Sequence, residues 1–195
     1  MVRGEWGPQT YQVVPGHEFV GIVTEVDSEV TKHAVGDGSA SVAWSTPAVS
    51  ARMAALVKDG TRTQGGYSTH VVVTEDFVVR VPEELGLDEA APLLCGGATT
   101  YSPRTRWAPR STSCRAGTFD GLLNPVSGNL GRGAYMNLLA LNGAFVALGA
   151  SSEPEISFPM FAVAANRRVL THSLIAGVRE SQEMLDFVID PSTLA

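Results

Sequence analysis

Cysteine is scarce in this sequence. Only Cys95 and Cys114 occur among 195 residues, too few for a disulfide framework, so a reduced, cytoplasmic compartment is the expected setting. Long apolar runs are missing: no stretch reaches the roughly 20 residues of a membrane-crossing helix, and Met1-Val2-Arg3-Gly4-Glu5-Trp6 lacks the apolar centre of a signal peptide. No membrane partner is expected. Positive charge is also short. The 14 Lys and Arg against 20 Asp and Glu leave a net charge of −6, which argues against a general nucleic-acid binder, because phosphate contacts need a basic face.

What is present is ordinary globular material. A hydrophobic fraction of 44% and a charged fraction of 17% fit a packed chain of one sizeable domain or two small ones. Phe19 to Val26 alternates and is rich in β-branched residues, predicting a strand. Thr31 to Gly38 is turn-rich. Tyr67 to Val73 and Phe77 to Val81 predict two further strands, parted by Thr74-Glu75-Asp76. Short strands punctuated by Gly and Pro give a small, mostly β first region.

Leu87 to Tyr101 changes character to an Ala/Leu-rich helix, with Asp88 as N-cap or first-turn acid. The basic stretch Arg104 to Thr118 reads as a solvated linker rather than a phosphate-binding loop, since no glycine-rich turn or helix start accompanies it. Further on, Ala134 to Leu141 reads as a helix and Ala144 to Gly149 as a short strand of the kind buried in parallel sheets. Less defined elements fall at Val163 to Val169 and Leu174 to Ala176. Arg179 to Ile189 is an amphipathic helix with Met184, Leu185 and Val188 on one face. Composition shifts near Pro103, dividing the chain into residues 1–103, a linker at 104–118, and residues 119–195. The fold class expected is α/β joined to a β domain.

Two segments carry chemistry. Val13-Val14-Pro15-Gly16-His17-Glu18-Phe19-Val20-Gly21 offers an imidazole and a carboxylate at a turn into a strand. Ala90-Ala91-Pro92-Leu93-Leu94-Cys95-Gly96-Gly97-Ala98-Thr99-Thr100-Tyr101 offers a thiol. Alone, such a cysteine is usually a small core hydrophobe and such a histidine merely hydrogen-bonded. Together, His, Glu and Cys are the ligand types of a catalytic zinc.

Read with Arg3-Gly4-Glu5-Trp6-Gly7, with Thr63-Gln64-Gly65-Gly66-Tyr67-Ser68-Thr69-His70, and with the run from Ser173 to Phe187, these segments resemble the zinc-dependent medium-chain alcohol dehydrogenases, in the cinnamyl-alcohol-dehydrogenase-like branch. The resemblance implies a GroES-like β domain carrying a catalytic zinc and a Rossmann-type parallel α/β domain binding NADP(H). It implies zinc-assisted hydride transfer between a small primary alcohol and its aldehyde. His17 and Cys95 then match zinc ligands, and Glu18 matches the carboxylate beside the histidine, a second-shell or alternate ligand. For the cofactor, the resemblance points to Thr99 (with Thr100), to Leu148, Gly149 and Ala150, and to Ser173, Leu174 and Ile175. It leaves room for a homo-oligomer.

Departures from the family pattern are equally legible. The family's other catalytic cysteine precedes the Arg3–Gly7 match and is expected to be missing, because the sequence starts at Met1. No cysteine lies between Gly38 and Gly60, so the family's four-cysteine structural zinc is excluded on ligand count. Ala108 to Thr118 stands where the family has its first Rossmann strand and glycine-rich phosphate turn, and the resemblance leaves Phe119 to Asn124 as a strand remnant. Gly128-Asn129-Leu130-Gly131-Arg132-Gly133 has glycines but no feeding strand, and reads as a loop and N-cap. His33 and His70 read as surface residues, His172 is ambiguous, and Trp44 and Trp107 read as packing. Two expectations therefore stand: an alcohol/aldehyde oxidoreductase, or a catalytically inactive remnant that binds zinc weakly or associates with an intact homologue. Half a parallel sheet would also leave an unpaired strand edge and marginal stability.

Overall fold

The computed structural model describes residues 12, 14–42, 65–107, 116–128, 131–149 and 157–193. Arg3-Gly4-Glu5-Trp6-Gly7, Trp44, Cys114 and Ala150 lie outside the described residues, as does the Trp107 side chain. The chain divides into two compact units, Met1–Ala98 with Ala176–Ala195, and Thr99–Ile175. The sequence expectation set a boundary near Pro103 and kept residues 176–195 with the second part.

In the first unit, strands β1 (Glu18–Ile22), β2 (Gly38–Val42) and β3 (Val78–Arg80) form an antiparallel sheet in that order, with Glu18 opposite Val42 and Ser39 opposite Arg80. β1 is shorter than the alternation over Phe19 to Val26 suggests. At Val23 the pairing passes to the loop, Val23 N–H donating to the Asp37 carbonyl and Gly36 N–H to the Val23 carbonyl, and Asp27 then opens a turn by accepting the Glu29 amide. Tyr67 to Val73, expected as a strand, forms none. Tyr67 and Val72 are exposed, and β-branched composition without a ladder partner does not make a strand.

The sheet's β3 edge is finished by a side chain. Helix α5 (Val178–Ile189), the amphipathic helix expected at Arg179 to Ile189, buries Ser181, Met184 and Leu185, while Val188 is exposed. From this helix Gln182 accepts the Arg80 N–H at 2.8 Å and donates to the Arg80 carbonyl at 3.0 Å, supplying what a neighbouring strand would. Glu180 caps the helix by accepting the Gly177 amide.

The single helix expected over Leu87 to Tyr101 is interrupted. A short α1 (Leu87–Ala90), with Asp88 and Glu89 in its first turn, runs into a 3-10 turn at Ala91–Leu93 containing Pro92, and α2 (Gly96–Trp107) starts afresh. A proline in a helix interior costs an amide donor and clashes with the preceding turn, so the chain re-nucleates just after Cys95.

The second unit contains a three-stranded parallel sheet, β4 (Phe119–Asn124), β5 (Leu139–Ala147) and β6 (Val169–His172), ordered β4-β5-β6. Between them lie α3 (Arg132–Met136) and α4 (Met160–Ala164). The helix expected over Ala134 to Leu141 ends early, and the strand starts at Leu139. Phe119 pairs with Leu139 but Gly121 with Ala144, so β5 carries an irregularity, with Asn142 at φ +62°. The alternation of β5 puts Phe145 with Met136 and Leu139 in one buried cluster, and Ala144, Val146 and Leu148 in another. Arg168 is buried with its guanidinium donating to the carbonyls of Leu139 and Ala162. These bonds tie the start of β6 to the start of β5. The Gly128–Gly133 segment does follow a strand, since β4 ends at Asn124, and α3 opens at Arg132 behind Gly131 as N-cap. The fold class is the one expected: a β domain and a partial parallel α/β sheet.

Among surface groups, Glu75, just ahead of β3, ties down the loop between β1 and β2. Its carboxylate accepts the amides of Thr31 at 3.0 Å and Lys32 at 3.1 Å, and those bonds, the Thr31 amide first, hold its pKa below the ordinary 4.5. A carboxylate lowered on folding contributes stability that is present above the unfolded pKa and is lost as pH falls through the folded one. We therefore expect Glu75→Gln to lose less stability than the parent on acidification from neutral pH, read by denaturant unfolding at stepped pH; superimposable curves would remove Glu75 from the acid response.

Candidate metal centre

His17 sits on a turn that only glycine can make. Gly16 has φ +100°, and a Cβ there would meet the Tyr67 nitrogen at 2.7 Å and the Gly66 carbonyl carbon at 2.9 Å. The backbones lie that close because the Gly66 N–H donates to the Gly16 carbonyl at 3.1 Å and the Tyr67 N–H to the Pro15 carbonyl at 2.9 Å. Gly66 is constrained in return, with Gly16 carbon at 3.1 Å from where its Cβ would lie. Two bound carbonyls and a fixed proline thus deliver His17 to the entrance of β1, with Glu18 as that strand's first residue.

Cys95 arrives from the other direction, between the 3-10 turn and α2. Its amide donates to Glu18 Oε2 at 3.1 Å. Ligand atoms of His17, Glu18 and Cys95 all lie within 4.8 Å of one another, and the three residues are half-buried. The structure thus brings together the three residues that the sequence singled out.

An imidazole, a thiolate and a carboxylate form a donor set suited to zinc, whose bonds to such atoms run about 2.0–2.3 Å. An ion between them reaches all three with a small inward rotation of the side chains. Among the described residues this is the one group of three or more His, Cys, Asp or Glu arranged for a metal. His33 is half-buried, its Nδ1 lacking a partner, contrary to the surface placement expected of it. His70 and His172 are exposed.

The residues matched to a cofactor fall in the second unit. Leu148 and Gly149 follow β5, and Ser173, Leu174 and Ile175 follow β6, so these five mark the carboxyl edge of the parallel sheet, where open α/β sheets place ligands. Thr99 is buried in the first turns of α2. Leu148 and Gly149 amides both approach the Asn124 carbonyl, at 2.8 and 3.3 Å, and Ser173 N–H donates to the Ala147 carbonyl. A Cβ on Gly149 would strike Val126 carbon at 2.7 Å and Pro125 oxygen at 2.8 Å.

Asn124 is the residue at this edge that sequence reading passed over. It is buried and accepts the Val126 amide through Oδ1, shaping the loop against which Gly149 packs. The Asn124-Pro125 pair, a turn-initiating dipeptide, was the available signal.

The family profile of the alcohol dehydrogenase GroES-like domain matches residues 1–83. The chain is 38% identical to "NADP-dependent alcohol dehydrogenase C 1" of Mycolicibacterium smegmatis, covering 95% of this chain and 74% of that protein. It is 32% identical to cinnamyl alcohol dehydrogenase 7 of Arabidopsis thaliana, covering 95% and 72%. The solved cinnamyl alcohol dehydrogenase of Sorghum bicolor superposes with a TM-score of 0.82 at 27% identity, covering 96% of this chain and 74% of that one. The mycobacterial match extends over 261 residues, more than the 195 present here, so the relative carries internal segments without a counterpart in this chain.

If Gly16 is the hinge of the site, Gly16→Ala should cost about 1–3 kcal/mol through strain at a left-handed position and weaken cobalt(II) binding with it. Calorimetric melting and a cobalt titration check this; unchanged values in both would show that the turn does not hold His17.

Proposed function

Because the chain belongs to the medium-chain alcohol dehydrogenase family, in its cinnamyl-alcohol-dehydrogenase-like branch, we propose that it interconverts a small primary alcohol and its aldehyde, with zinc at His17, Glu18 and Cys95 and NADP(H) as hydride partner. The observation that carries this reading is the convergence of those three side chains within 4.8 Å.

A zinc ion held there would polarise the substrate oxygen, easing hydride departure from the alcohol or arrival at the aldehyde. The chain's own residues do the holding. The bonded turn at Pro15-Gly16 fixes where His17 enters, and the Cys95 amide fixes Glu18. At the carboxyl edge of the parallel sheet, Gly149 allows the backbone approach that a bulkier residue would block. We assign Leu148, Gly149 and Ala150, Ser173, Leu174 and Ile175, and Thr99 to the nicotinamide end of the cofactor.

The phosphate end fits less well. A pyrophosphate cradle needs a glycine-rich turn opening a substantial helix. In the described residues the turn after β4 opens only α3, of 5 residues. Together with the relative's unmatched internal segments, this favours a second reading: a member of the family that keeps a metal site and has lost catalysis.

An NADPH fluorescence titration, with and without added zinc, separates the readings. Saturable binding followed by aldehyde-dependent NADPH oxidation with cinnamaldehyde is expected of the oxidoreductase. Absence of both would leave the second reading.

We further propose self-association along the second sheet. Val169 and Leu170 are exposed on β6, near in sequence to the exposed Met160 and Phe161, and β6 has no outer strand partner among the described residues. An unpaired strand edge of this kind invites pairing with another chain. Sedimentation equilibrium should give a multiple of the chain mass that falls to one chain in Leu170→Lys; a monomer at every concentration would end this proposal.

A further inference from the structure

Cys95 is followed by Gly96 and Gly97, the first two residues of α2, and only proline forms helix less readily than glycine. Propensity does not hold this turn in place, so packing has to. A Cβ on Gly97 would lie 3.1 Å from Leu93 Cβ and 3.3 Å from Met184 Sδ. The sulfur of Met184, on α5, therefore lies against bare backbone two residues beyond the thiol. We infer that Met184 is a positioning residue for the metal centre: its thioether seats the first turn of α2 and, through that turn, the Cys95 donor. This inference rests on the metal reading above for its consequence in the reaction.

Both sides of this contact are held. On α5, Met184 and Leu185 are buried, and the Ser181 hydroxyl donates to the Gly177 carbonyl at 3.0 Å, fixing the helix start. Gln182 binds both backbone groups of Arg80 and donates to Asp186 Oδ1 at 2.9 Å, which pins the helix to β3. On the other side, Leu94 and Ala98 are buried on either side of the Cys95-Gly96-Gly97 segment. Cys95 itself is half-buried where the interrupted helix restarts, between a 3-10 turn and α2, so the preceding helix does not fix its backbone. A thioether is long, soft and suited to an irregular gap of this kind. The apolar shell around a metal site tunes it as its polar partners do.

The test uses the full chain carrying Cys114→Ser, in which Cys95 is the only thiol. In metal-free protein, alkylation of Cys95 by iodoacetamide should be several-fold faster in Met184→Ala, which leaves a cavity. It should stay near the parent rate in Met184→Leu, which keeps the volume. Val79→Ala, a truncation of a buried β3 residue, is the control: it should lower the melting temperature and leave the alkylation rate unchanged. With cobalt(II) alone as probe, read by thiolate-to-cobalt absorption, Met184→Ala should bind about tenfold more weakly than the parent, and Met184→Leu like the parent. A Cys95 alkylation rate that Met184→Ala leaves unchanged, or that Val79→Ala raises equally, overturns the positioning role, whatever cobalt does. Should the parent bind no cobalt while the alkylation pattern holds, the metal assignment falls and the hold of Met184 on Cys95 stands. If circular dichroism melts show that Met184→Ala fails to fold, Gly97→Ala presses the same contact from the other side, and an unchanged alkylation rate there overturns the inference equally.

Discussion

The backbone contact between Pro15-Gly16 and Gly66-Tyr67 is the constraint on which the metal centre depends. It is made of two ordinary amide bonds, but it needs space that no Cβ would leave. So close a contact is possible only because both segments contribute glycine at the meeting point. Remove that allowance and His17 loses its approach to Glu18 and Cys95. The donors of the site are polar and replaceable in kind; the room for them to meet is not.

The second unit obeys a similar economy at the carboxyl edge of its sheet. Gly149 lies against the loop 125–127 because Asn124 folds that loop back on itself. Just ahead of β6, Arg168 is a buried cation whose guanidinium donates to the Leu139 and Ala162 carbonyls. Its charge-assisted bonds hold the sheet's opening edge together, while both faces of β5 are filled by the alternating clusters around Phe145 and Val146.

Much of this was legible in the residues. His17, Glu18 and Cys95 stand in segments whose order and spacing identify the site, and the structure gathers them. The helix from Arg179 was readable from its apolar period, and the strand at Phe119 to Asn124 from the family resemblance. What escaped did so for physical reasons. Tyr67 to Val73 has the β-branched composition of a strand, but pairing is a property of two segments. Ala134 to Leu141 has helical composition throughout, yet from Leu139 the ladder with Phe119 claims the backbone. The break before Gly96 was present in Pro92, outweighed there by alanine and leucine. The Glu18–Cys95 bond could not be read at all, since nothing in either segment names the other.

Gln182 has a consequence for how the molecule comes into being. A residue near the carboxyl terminus completes the hydrogen bonding of Arg80, across the whole of the intervening parallel sheet. During synthesis the Arg80 backbone therefore waits for Gln182, 102 residues further on, before this pair of bonds can close. Contacts so distant in sequence are closed late and slowly. For that interval the Arg80 backbone groups are open to water or to another partner, so the last contact to form is also the one that finishes this edge.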